Sequence, residues 1–262
     1  SRSSVVGARM LIASTAALCL ALQLQPQTIS RRGAVFGAVG IAVLPPLRTA
    51  AVAPAVSAQR FSMAPVITPI VGDKNSVFGQ RSVYSDELVA PKVEGKRLAG
   101  LPVRFEFPSD WIPLDKALGG IQFVDGNTGT KLYVLRAPLP AGTTLETAPK
   151  ASFADAIFDP AGTIVKGGTG IDEYKVSSSK LIDLPDAALG QPCSSVRRRL
   201  ALKYTAVSGN QMLVERRALV DAYEYEGYAY MMVGTATATK WEASEKRRVE
   251  LIVESFLVGS PS

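Results

Sequence analysis

Cys193 is the first residue to ask about chemistry. It is the only thiol after Cys19, and Arg197 and Arg198 lie close enough in sequence to lower its pKa and favour the thiolate. A thiolate nucleophile also needs a base nearby, and the chain contains no histidine. The same absence removes Ser-His-Asp catalysis and histidine ligation of metals. An inert structural cysteine and a non-enzymatic chain are therefore expected.

The other candidate groupings are weaker. The run GGTG (residues 167–170) invites a phosphate-loop reading, but it lacks the Lys-Ser/Thr of a P-loop and the full G-x-G-x-x-G pattern, so a mobile loop is expected over residues 161–172. Asp172 with Glu173, and Asp183 with Asp186, are carboxylate pairs without a third ligand, which solvated loop positions explain. Arg197, Arg198 and Arg199 form a basic run. Strand alternation would send these charges to opposite faces, so they do not make a nucleic-acid patch.

The elements that would position these residues follow from apolar periodicity. Val103, Phe105 and Phe107 alternate with Arg104 and Glu106, predicting a half-buried strand over residues 101–111 that ends at Pro108, with Trp111 in the turn beyond. Residues 121–124 and 131–136 read as strands joined by DGNTG. Thr147 and Pro149 open a helix to Phe158, with Phe153 and Ile157 on one face. Residues 196–206 and 211–223 read as a hairpin around Ser208, Gly209 and Asn210. In that register Leu200 faces Ala218, Tyr204 faces Val214, Arg197 faces Asp221 and Lys203 faces Glu215. It also puts Arg198 and Arg216 on the apolar face, either snorkelling to water at an edge or awaiting a buried carboxylate. The Tyr-rich stretch 224–238 is apolar on both sides, as a central strand covered twice would be. Thr239 and Glu242 form a capping box before a helix over residues 240–257, in which Val249, Ile252, Val253 and Phe256 make the buried stripe and Gly259 follows as the stop. The sum is an α+β domain: an antiparallel β-sheet flanked by helices.

The first part of the chain reads as an address. Arg31 and Arg32 precede an apolar run over residues 33–44, then small residues with Val56 and Ala58 placed for an A-x-A-like cut, the form of a twin-arginine signal. The run holds 12 residues against the ~20 that a membrane span needs. An earlier apolar segment in residues 5–24 suits a second signal, so delivery across more than one membrane is expected. Residues 1–72 contain no Asp or Glu and six of the 29 basic residues, so the remainder is balanced at 23 against 23 and the pI near 9.3 belongs to the leader. The expected organisation is a leader over residues 1–58, an extended arm over 59–100 and a single domain over 101–262.

FEFPSDW (residues 105–111), FVDG (123–126), the Tyr-rich strand at Tyr228, and the ending Trp241, Ser255, Phe256, Val258 together resemble the PsbP family of thylakoid-lumen proteins. The likeness spans residues 103–258. It implies an α/β/α sandwich and a non-enzymatic extrinsic subunit at the lumenal face of photosystem II, peripheral to the thylakoid membrane. There the family stabilises the oxygen-evolving manganese cluster and helps retain calcium and chloride. PsbP-like relatives instead assist assembly or repair of a photosystem or of an NADH dehydrogenase-like complex. The partners implied are the photosystem core and other extrinsic subunits, with no cofactor bound by the chain itself. NSVFG (residues 75–79) resembles the docking arm of plant PsbP. It implies contacts from Asn75, Val77, Phe78 and Gly79, with Arg81 and Lys92 steering toward an acidic lumenal surface. Without histidine, any histidine metal site of the family has no counterpart here.

Overall fold

The computed structural model describes residues 65–75, 79–88, 100–114, 121–166, 170–184, 193–208 and 210–259, so the leader lies outside the described residues. In chain order the elements are β1 (Val66–Asn75), β2 (Gly79–Leu88), β3 (Leu101–Pro108), β4 (Ile112–Pro113), β5 (Ile121–Val124) and β6 (Lys131–Pro138). Then come α1 (Lys150–Ile157), α2 (Thr163–Lys166), β7 (Gly170–Asp183), β8 (Val196–Val207), β9 (Leu213–Tyr225) and β10 (Tyr228–Thr237). The C-terminal part holds α3 (Ala238–Lys240), a wide π-turn (Trp241–Glu245), α4 (Lys246–Glu254) and β11 (Leu257–Val258).

The strands form two antiparallel sheets, ordered β1-β2-β3-β11 and β4-β5-β6-β10-β9-β8-β7. This is the expected α+β class, with the sheet split in two because β3 pairs with β2 and β11 and not with β5. β10 is central and buried on both sides, as its apolar faces require. Tyr230, Met232 and Ala236 enter one core with Phe105, Phe107, Phe123 and the Val249, Ile252, Val253 stripe of α4. Ala229, Met231 and Val233 enter a second core with Phe153 and Ile157 of α1. Helices thus cover both faces of the large sheet. Gly234 lets α4 approach closely: a Cβ there would lie 2.6 Å from Val249 Cγ1.

Several expectations change. Residues 79–88 are not an arm: β2 pairs with β3 along its length and buries Tyr84 and Leu88, because Tyr84 stacks on Phe105 at 4.8 Å. The expected loop over residues 161–172 is in part regular structure, since residues 163–166 form α2 and β7 begins at residue 170; β7 is an edge strand with mostly exposed side chains, so no apolar alternation announced it. The β8–β9 register is displaced by two residues. Leu200 faces Val220, Tyr204 faces Arg216 and Lys203 faces Arg217, because the pairing closes at Val207 opposite Leu213, with Gln211 at φ 62° beyond it. A shift of two preserves the faces. The helix begins earlier than expected, capped by Thr237 Oγ1 accepting from Lys240 N–H, so Thr239 is not the cap. It ends at Glu254, since residues 257–258 pair with β3.

Candidate functional site

The docking segment is the end of a β-hairpin. Asn75 closes β1 directly opposite Gly79, which opens β2 at φ 68°, a left-handed conformation that glycine tolerates. Val77 and Phe78 fall in the connection between them, outside the described residues, as does Lys92. Arg81 is not a free steering charge: its guanidinium donates to Glu106 Oε2 at 2.7 Å across β2 and β3. The hairpin's β1 is an edge strand with Val66 and Ile67 exposed. The six candidate docking residues are therefore gathered only in part, through the backbone that brings Asn75 beside Gly79.

Cys193 is held as a thiol. Burial pushes its pKa up to about 12, and its Sγ donates to Glu224 O at 3.5 Å. The expected help from neighbouring arginines does not arise, because both are engaged elsewhere. Arg197 binds Asp221 Oδ2 at 3.2 Å and the Glu254 carbonyl, which ends α4. Arg198 is buried without a carboxylate: it donates to the Leu145 and Ala148 carbonyls and to Ser179 Oγ, and lies over the Phe153 ring at 4.9 Å. Burial lowers its pKa. It neither snorkels nor awaits an acid, since backbone carbonyls ahead of α1 supply its acceptors.

Arg216 does the same for the β5–β6 turn, donating to the Gly129 and Thr235 carbonyls and to Tyr204 Oη. That turn is anchored again by Asp125. Burial pushes its carboxyl up, yet hydrogen bonds from Asn127 and Thr128 together with Arg248 hold it below the ordinary value. Glu245, buried in the π-turn, accepts from Thr130 Oγ1 at 2.9 Å and meets Arg248 at 3.5 Å. The wide turn rotates Glu245 inward toward this network.

Asp172 and Glu173 are outward-facing residues of β7, and Asp183 is its last residue; Asp186 and residues 167–169 lie outside the described residues. Among the described residues no group of three or more His, Cys, Asp or Glu side chains is placed to hold a metal ion. The buried charges were invisible as a set in sequence, because several of their contacts join distant segments, as Arg198 to Ala148, 50 residues away, and Arg248 to Asp125, 123 residues away. What they do is fasten turns and helix ends to the large sheet.

No family model matches the chain, and no curated protein matches it. Among solved structures it is similar to cyanobacterial PsbP (CyanoP) from Synechocystis sp. PCC 6803, at 16% identity and a TM-score of 0.40, covering 64% of this chain and 98% of that one.

Proposed function

We propose that the chain is a PsbP-related, non-enzymatic extrinsic subunit of the thylakoid lumen, docked peripherally on photosystem II, where it stabilises the oxygen-evolving centre and helps retain calcium and chloride. The observation that carries this reading is the convergence of its scattered motifs. Phe105, Phe107 and Trp111 of the first motif, Phe123 of the second, Tyr230 of the Tyr-rich strand, and Trp241, Phe256 and Val258 of the ending all enter one buried cluster. That motifs spread over more than 150 residues serve one core supports reading them as a shared framework. The Cys193 thiol, held protonated by burial, supports a role without covalent chemistry.

In this reading the hairpin end at residues 75–79 is the docking element and the sandwich its rigid support. Replacing both Val77 and Phe78 by Ser tests it, because these positions lie beyond the paired residues of β1 and β2. The expected result is loss of co-sedimentation with photosystem II membranes and a greater calcium and chloride requirement for oxygen evolution. Unchanged retention overturns the docking role. Near-equal abundance with photosystem cores supports a subunit, and marked scarcity an assembly or repair factor.

A further inference from the structure

On the face of the large sheet that α4 covers in part, β7, β8 and β9 carry a row of like charge beyond the end of that core. Lys175 stands opposite Lys203, and Lys203 stands opposite Arg217. Directly opposed residues of antiparallel strands have Cβ atoms ~4.5–5.5 Å apart, where like charges repel. Lys175 and Lys203 are exposed and Arg217 is half-buried. None of the three side chains makes a hydrogen bond or ion pair among the described residues. Further along β8 the fold treats arginines differently, since Arg197 and Arg199 share the buried Asp221.

The neighbours of the row say what would cover it. One step along the strands stand Glu173, Thr205 and Glu215; one step the other way stand Ala201 and Leu219. The exposed part of the face therefore runs acidic then basic, and it ends where Leu219 enters the core under α4 with Ala201 packed against it. A uniform polyanion would set negative charge against Glu173 and Glu215 as well as against the cations. Spaced carboxylates on a protein can meet the basic row alone. Strand addition at the β7 edge is disfavoured, because the β7–β8 register is interrupted between Ile171 and Glu173 and between Val176 and Ser178, and such bulges blunt an edge.

We propose that this face docks an acidic segment of another protein, whose carboxylates pair with Lys175, Lys203 and Arg217. The inference is independent of the photosystem reading, since the hairpin end at residues 75–79 belongs to the other sheet.

Lys203→Glu is the direct test: it puts a carboxylate between two cations, so it removes repulsion within the protein and adds it toward the partner. The full chain and the variant are titrated with a soluble peptide of alternating Glu and Ala at low salt. The expected result is salt-sensitive binding by the unaltered chain, weakened about tenfold or more in the variant, whose melting temperature is no lower. Lys175→Gln, which keeps the hydrophilic edge, is the second variant and is expected to weaken binding severalfold. Equal affinities of the three proteins overturn the proposal. So does tighter binding by the unaltered chain to phosphatidylglycerol vesicles or to single-stranded DNA than to the peptide, which would make the partner a membrane or a nucleic acid.

Discussion

Asp221→Asn is the perturbation that most directly probes how this fold is fastened. The Asp221 side chain has no solvent exposure, and Arg199 grips it with Nε to Oδ1 at 2.7 Å and Nη2 to Oδ2 at 2.8 Å, while Arg197 Nη1 reaches Oδ2 at 3.2 Å. The hydrogen bonds to Asp221 hold the Arg199 guanidinium firmly in its charged form. The amide keeps the shape but removes the charge, stranding two half-buried guanidinium groups. Breaking a buried pair costs about 3–5 kcal/mol. Here the low end applies, because the arginines are 14% and 19% exposed and Arg199 retains Glu254 at 3.0 Å. About 3 kcal/mol corresponds to a fall of about 6–12 °C in Tm for a domain near 200 residues. Thermal unfolding by circular dichroism measures this, and a cycle with Arg199→Gln isolates the pair, with a coupling of about 1–3 kcal/mol expected. A Tm within about 2 °C of the unaltered chain, or strictly additive effects, would refute the assignment of Asp221 as the charged anchor of β8 and β9.

Three further expectations follow from the same packing and electrostatics. Gly234→Ala forces a methyl against Val249 and Val253 of α4 and is expected to cost about 1–3 kcal/mol in chemical denaturation; no loss would mean that α4 can lift away freely. The Cys193 thiol, ordinarily near 9.0 and raised to about 12, is expected to resist alkylation at pH 8 until the chain unfolds. Because its folded pKa is the higher one, its contribution is fully present below about pH 9 and is lost as pH rises toward 12, so Cys193→Ala should flatten the alkaline loss of stability. Asp125 has the opposite sign: its folded pKa lies below the ordinary 3.8, so its contribution is present above that value and lost as pH falls further. Asp125→Asn is therefore expected to be less stable near neutrality, by about 1–2 kcal/mol, and to converge with the unaltered chain in acid denaturation below that pH.

The contrast between strands β10 and β7 shows what periodicity can convey. β10 is apolar on both sides because both cores need it, so its central place was legible from residues 228–237 alone. β7 is polar along most of its length because it lies at an edge, and exposed backbone pairing leaves little mark on side-chain choice. The strand 79–88 shows a related failure. Tyr84 and Leu88 are buried there, but Ser82 and Asp86 are buried as well, which blurs the alternation.

Composition and local pattern determined the α+β class, the strand–turn–strand around Asp125, the helix at Phe153, the stripe of α4 and the absence of histidine chemistry. Those properties depend on residue type and on neighbours within a few positions. Tertiary structure decided the partition into two sheets, the two-residue shift between β8 and β9, the acceptors of Arg198 and Arg216, and the row of Lys175, Lys203 and Arg217. Each of these depends on which distant segment arrives alongside. Hydrophobic periodicity says which way a side chain faces, but only the closed core says what it meets there.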